Sequence, residues 1–178
     1  TDAINNTWKH NQVFFSHIHW IDFTLKELSG HNMDNYIIHK SKAVPNCKID
    51  YPVRMESGEF FAIEPFVSTT SETYYDNPTN LFMIDKNYMI NISILNKMEL
   101  LLFNEIFKLY STLCFCDKWL ERDIEGYNVY IFNSLIKHKI IHDYKTIYVT
   151  KGNYVSQFEH NIYIKENGII KITENNYY

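Results

Sequence analysis

Gly30-His31-Asn32-Met33-Asp34-Asn35-Tyr36-Ile37-Ile38-His39 sets two histidines around a polar middle. Two further stretches belong with it. Phe60-Phe61-Ala62-Ile63-Glu64-Pro65-Phe66 and Tyr154-Val155-Ser156-Gln157-Phe158-Glu159-His160-Asn161-Ile162-Tyr163-Ile164 each place one carboxylate, Glu64 or Glu159, inside a run that reads as a buried strand. Burying an unpaired carboxylate costs roughly several kcal/mol even after relaxation, so a sequence that does it twice needs cations or dense hydrogen bonding in return. A histidine accompanied by two such carboxylates points to a metal ion.

The rest of the chain sets the frame around these three stretches. With 178 residues, 46% of them hydrophobic, it has the size of one domain and enough apolar sequence for a sizeable core. A net charge of -4 and a pI near 6.0 offer no basic field for nucleic acid. No apolar run is long enough for a membrane span. Cys47, Cys114 and Cys116 are odd in number, lack a framework spacing and follow no secretory segment, which favours a reduced, intracellular setting. The sequons at Asn5 and Asn91 then read as chance matches.

In chain order, residues 2–6 read as the tail of a helix and 12–20 as an aromatic-rich strand bearing His17 and His19. Residues 36–39 read as strand, 40–47 as an extended loop around Pro45, and Glu56-Ser57-Gly58-Glu59 as a turn feeding the Glu64 strand, where Pro65 marks a strand end or an edge. Residues 68–80 read as a surface loop. The period then becomes helical over about 95–142. Met98, Leu101, Leu102, Ile106 and Leu109 share one stripe, Leu113, Cys116 and Leu120 a second, and Tyr130, Leu135 and Ile136 suit a further helix. Strand character returns at 145–149, 154–164 and 169–173, with a hairpin turn at Asn167-Gly168. Alternation around Glu159 puts Phe158, His160, Ile162 and Ile164 on one face and Gln157, Glu159 and Asn161 on the other, so Glu159 faces a polar site. Cys114 and Cys116 suit core packing on a helix better than a metal pair. His138 and His142, four residues apart, suit a helix C-terminus.

Four motifs in one order carry a resemblance. Gly-His-x-x-x-x-Tyr-x-Ile-His at 30–39, Ala-Ile-Glu-Pro-Phe at 62–66, Thr-Leu-Cys-Phe-Cys-x-x-Trp-Leu-x-Arg at 112–122 and Gln-Phe-Glu-His at 157–160 closely resemble methionine aminopeptidase, type 2. The resemblance implies an α+β pita-bread fold, represented by its C-terminal half, with a helical, winged-helix-like insertion. Positions 1–84 and 146–178 would belong to the catalytic domain and 85–145 to the insertion. It implies that His31, Glu64 and Glu159 ligate metal, with Glu159 bridging two divalent ions (Mn, Co, Fe or Zn), that Glu64 also shuttles protons, and that His39 contacts the substrate carbonyl. Ile38, Cys114 and Tyr144 match positions lining the methionine pocket.

The implied reaction is removal of the initiator methionine from nascent polypeptide N-termini in the cytoplasm, with ribosome association and sensitivity to fumagillin-type inhibitors. Two aspartates and a catalytic histidine of the family have no counterpart among Asp22, Asp34, Asp50 or elsewhere, so the chain reads as the C-terminal half of a longer enzyme, inactive by itself. Ser68-Thr69-Thr70-Ser71 replaces the family's glycine-rich loop, and no pocket histidine stands near Phe82-Met83. The competing reading is a non-catalytic pita-bread protein that binds RNA or a protein partner.

Overall fold

A computed structural model of the chain describes residues 23–50, 53–76 and 79–173. The expectations for residues 2–6, for the strand at 12–20 and for His17 and His19 lie outside the described residues. The chain divides into two compact units, one formed by residues 1–74 and 148–178 and the other by 75–147.

The first unit is built on two antiparallel sheets. The larger has five strands in the order Gly168–Lys171, His160–Lys165, Phe60–Ile63, Ser29–Met33, Ala43–Pro45. One of its faces buries Val44, Phe61 and Ile162, with Met55, Ile63 and Ile164 packed around them. The smaller has three strands in the order Phe23–Thr24, Phe66–Ser68, Val155–Gln157. Two segments run from one sheet into the other side by side. His160 pairs with Ile63 in the larger sheet and Gln157 with Phe66 in the smaller, so Glu64-Pro65 and Phe158-Glu159 lie opposite each other in the gap. Pro65 has no N–H to offer a ladder, which ends the first strand at Ile63, as its sequence position suggests.

Several local expectations change. Residues 36–39 form a turn and bend: the Asp34 and Ile37 backbones bond to each other at 2.9 and 3.0 Å, and Tyr36 takes φ 56°. The Asp34 carboxylate drives this, accepting from the Asn35 N–H at 2.9 Å and from the Lys40 ammonium at 2.7 Å. Part of the expected loop at 40–47 is the edge strand Ala43–Pro45, in register with Ser29–His31. Residues 154–164 make two strands in two sheets, and this crossing breaks the alternation, leaving Phe158 48% exposed. Within the supposed loop at 68–80, Thr73–Asp76 is a strand paired with Thr146–Val149, and Tyr74 stacks on Tyr148 at 5.7 Å. The turns at 56–59 and before Gly168 form as expected.

In the second unit a three-stranded sheet, Phe115–Cys116, Leu81–Ile84, Ile141–Asp143, packs with the helices Lys97–Tyr110, Asp117–Asp123 and Val129–Lys137 around Phe82, Phe103, Ile106, Phe115, Phe132 and Leu135. Cys116 is therefore on a strand, and His142 lies on a strand while His138 ends a helix. The three cysteines are free.

The buried stripe of the longest helix is Glu99, Leu102, Phe103 and Ile106, while Met98, Leu101 and Leu109 are about half exposed at 57%, 52% and 44%. Helix phase is set at its start. The Asn96 side chain accepts from the Met98 and Glu99 N–H groups, and the Glu99 carboxylate returns to the Asn96 N–H at 2.8 Å, a reciprocal capping box. Glu99 is only 6% exposed. Its other oxygen accepts from the Ser134 hydroxyl at 2.5 Å and lies 3.6 Å from His138 Nε2. One carboxylate thus joins the helix start to the helix Val129–Lys137, and the Ser134 bond above all holds its pKa below the ordinary 4.5.

Because ionised Glu99 is favoured in the folded state, its contribution is present above pH 4.5 and lost as pH falls through the lower folded value. Glu99→Ala is expected to cost about 2–3 kcal/mol at pH 7, from a lost cap and a lost charge-assisted bond. Urea melts should show the gap between parent and variant narrowing below pH 4.5.

Candidate metal centre

His31 is the third residue of the strand Ser29–Met33 and lies directly opposite Ala62. The small side chain at 62 and the absence of one at 30 let this strand approach closely. A Cβ on Gly30 would overlap the Ala62 carbonyl oxygen and come within 3.2 Å of the Glu64 nitrogen. His31 Nε2 stands 3.1 Å from Glu64 Oε1, with the two side chains 13% and 16% exposed. Burial works against a charged imidazole there, but the hydrogen bond and charge of Glu64 outweigh it, and the His31 pKa is raised above 6.5.

Glu159 reaches the same place from the opposite crossing. Its segment is fixed by the Phe158 N–H, which donates to the Pro65 carbonyl at 3.2 Å. Burial first, and then the Glu64 charge, push the Glu159 carboxyl above 4.5, and His31 opposes the shift. A carboxyl pushed up in this way beside a second carboxylate, with one imidazole near, marks a site short of positive charge. The donor types, imidazole nitrogen and carboxylate oxygen, are those that Mn, Co, Fe and Zn accept. Among the described residues, no group of three His, Cys, Asp or Glu side chains is arranged so that it could hold an ion as it stands.

His39, just past the turn at 34–37, lies on the surface with its ring 4.2 Å from that of His31 at 64°. Ile38 beside it is half-buried. The structure thus gathers His31, Glu64, Glu159 and His39 in the first unit. Cys114 and Tyr144 meet in the second. Burial pushes the Cys114 thiol up and, with Cys114 adding to it, raises the Tyr144 phenol; the Tyr144 hydroxyl also lies 3.6 Å from Met83 Sδ. Met83 escaped the sequence reading. Its signal would have been the strand Leu81–Ile84, whose register with Phe115–Cys116 and Ile141–Asp143 sends alternate residues to this face. His138 and His142 part company, the first against Glu99 and the second edge-on to Tyr144 at 4.8 Å.

A raised His31 pKa means that the ion pair stabilises the fold fully below pH 6.5 and is lost as pH rises through the higher folded value. In a proton NMR titration without metal, His31 should titrate above 6.5 in the parent and lower in Glu64→Gln, where the carboxylate bonded to Nε2 is gone. An unchanged midpoint would remove Glu64 as the cause. Gly30→Ala should disrupt the same pair and cost about 1–3 kcal/mol by overpacking, read as a lower urea midpoint.

No protein-family model matches the chain. It is 33% identical over 142 residues to methionine aminopeptidase 2 of Dictyostelium discoideum, 34% over 139 residues to that of Candida dubliniensis, and 34% over 139 residues to that of Schizosaccharomyces pombe. These matches cover 80%, 78% and 78% of the chain but 32%, 30% and 33% of the relatives, so the chain spans about a third of their length. A solved structure of a thermophilic Arx1 superimposes with a TM-score of 0.68 at 17% identity, covering 83% of this chain and 40% of that one. The two findings together support the pita-bread fold for the described residues. By its curated relatives this is a partial chain of the methionine aminopeptidase 2 kind.

Proposed function

We propose that the chain supplies part of the active site of a metal-dependent aminopeptidase that removes the N-terminal methionine from nascent proteins. The observation that carries this reading is the convergence of His31, Glu64 and Glu159 where two chain segments cross between sheets, around a deficit of positive charge. These three residues would hold divalent metal, Mn, Co, Fe or Zn. When bound, a pair of such ions acidifies water and offsets developing negative charge. Three side chains are too few for two ions, so the remaining ligands would come from the part of the relatives' length that this chain does not span.

The chain's own groups divide the remaining work. Glu64, half-buried and bonded to His31, would take a proton from the attacking water and return it to the leaving amine. His39, exposed beside His31, would donate to the scissile carbonyl. Ile38, Cys114 and Tyr144 would line the pocket for the methionine side chain, and residues 85–145 would be the helical insertion of the type 2 enzymes, within the unit at 75–147. Cytoplasmic location, ribosome association and capture by fumagillin-type inhibitors belong to the same reading. No described helix is long and apolar enough to cross a membrane. The incomplete ligand set among the described residues is what favours the competing reading, a binding protein on this fold without catalysis.

Glu159→Gln separates the two readings. An amide is a poor ligand for a divalent ion and cannot bridge a pair of them. The variant should therefore lose at least one ion by elemental analysis and nearly all cleavage of a Met-Ala-Ser peptide in the full-length enzyme. Unchanged metal content would sink the assignment of Glu159, and a full-length protein without metal or turnover would favour the binding reading.

A further inference from the structure

We infer that Asn46, which is no ligand, is the positioning residue that sets the distance between the His31 strand and Glu64; this rests on the metal-centre reading above. Asn46 follows the edge strand Ala43–Pro45, and its residue is only 9% exposed. Its one side-chain amide has two N–H donors, and both are used on main chain. Nδ2 donates to the Leu28 carbonyl at 3.0 Å and to the Glu64 carbonyl at 3.2 Å. Leu28 immediately precedes the strand that carries His31, and Glu64 is the partner of His31. A single planar group therefore fastens together the two backbones that present the pair.

The need for such a clamp follows from the ladder. The strand Phe60–Ile63 ends one residue before Glu64, and the next residue, Pro65, turns the chain toward the other sheet. At that point the Glu64 carbonyl leaves the regular ladder in a partly buried position, and a buried carbonyl without a donor is costly. Asn46 supplies the donor. On the other side of the same backbone, Gly30 has no side chain, so nothing opposes the close approach that the clamp enforces. Clamp and clearance together place Glu64 Oε1 3.1 Å from His31 Nε2. Without the amide, Glu64 would swing with the crossing segment, and the donor set would widen.

The test is Co(II) affinity of the full-length enzyme, measured by competition with a chelator and by the visible spectrum of the bound ion. Asn46→Ala should bind Co(II) about tenfold or more weakly than the parent, the usual size of an outer-sphere effect, with a shifted spectrum. Ile164→Ala, a core change at the far end of the same sheet, should lower the melting temperature and leave affinity and spectrum unchanged. If Asn46→Ala does not fold, Asn46→Ser, whose single hydroxyl serves one carbonyl, should also bind more weakly than the parent. Parent-like Co(II) binding by whichever Asn46 variant folds overturns the inference and leaves the metal-centre reading standing. A parent protein that binds no Co(II) overturns that reading, and the inference with it.

Discussion

The arrangement depends on two chain segments crossing between sheets at the same place. Glu64-Pro65 and Phe158-Glu159 are the only residues between the last pair of one ladder, Ile63 with His160, and the first pair of the next, Phe66 with Gln157. Leaving a ladder costs backbone hydrogen bonds, and here the loss is limited by the Phe158 N–H bond to Pro65 and by Asn46 on Glu64. What the crossing achieves is placement. Residues that would alternate from face to face along a continuous strand are instead brought to one place, and Glu159 comes within electrostatic reach of Glu64 and His31.

The two units hold a buried or partly buried carboxylate in opposite ways. Glu99 is surrounded by donors, the Asn96 N–H and the Ser134 hydroxyl, with His138 nearby, so its pKa falls and it acts as a structural tie. Glu159 has burial and a second carboxylate for company, so its pKa rises. Folding alone would select against the second arrangement, because it stores repulsion without a bond to offset it. The contrast separates a carboxylate that holds helices together from one that lacks such donors, and both are hidden equally well in a composition count.

His31 sits between these cases. Its pairing with Glu64 favours the protonated imidazole even though burial opposes it. Gly30 matters here through space alone. Any side chain at that position would meet the backbone of residues 62–64, the segment whose end carries Glu64.

The sequence alone singled out His31, Glu64 and Glu159 as residues that need an explanation, because charged residues inside apolar runs are costly and therefore stand out, and it marked the strand end before Pro65. It also carried the hairpin before Gly168 and the turn at Gly58, where local backbone chemistry decides. It misplaced elements wherever the decision was not local. The helix stripe was misread because apolar residues surround the helix Lys97–Tyr110 and only the Asn96–Glu99 cap and the core it meets choose the phase. Residues 154–164 read as one strand because periodicity does not show a change of sheet, and the turn at 34–37 was hidden in a β-like run until the Asp34 carboxylate and its Lys40 partner were seen. Asn46 had no signal of its own, since a side chain that bonds two carbonyls at positions 28 and 64 acquires its role only when those distant segments are packed side by side.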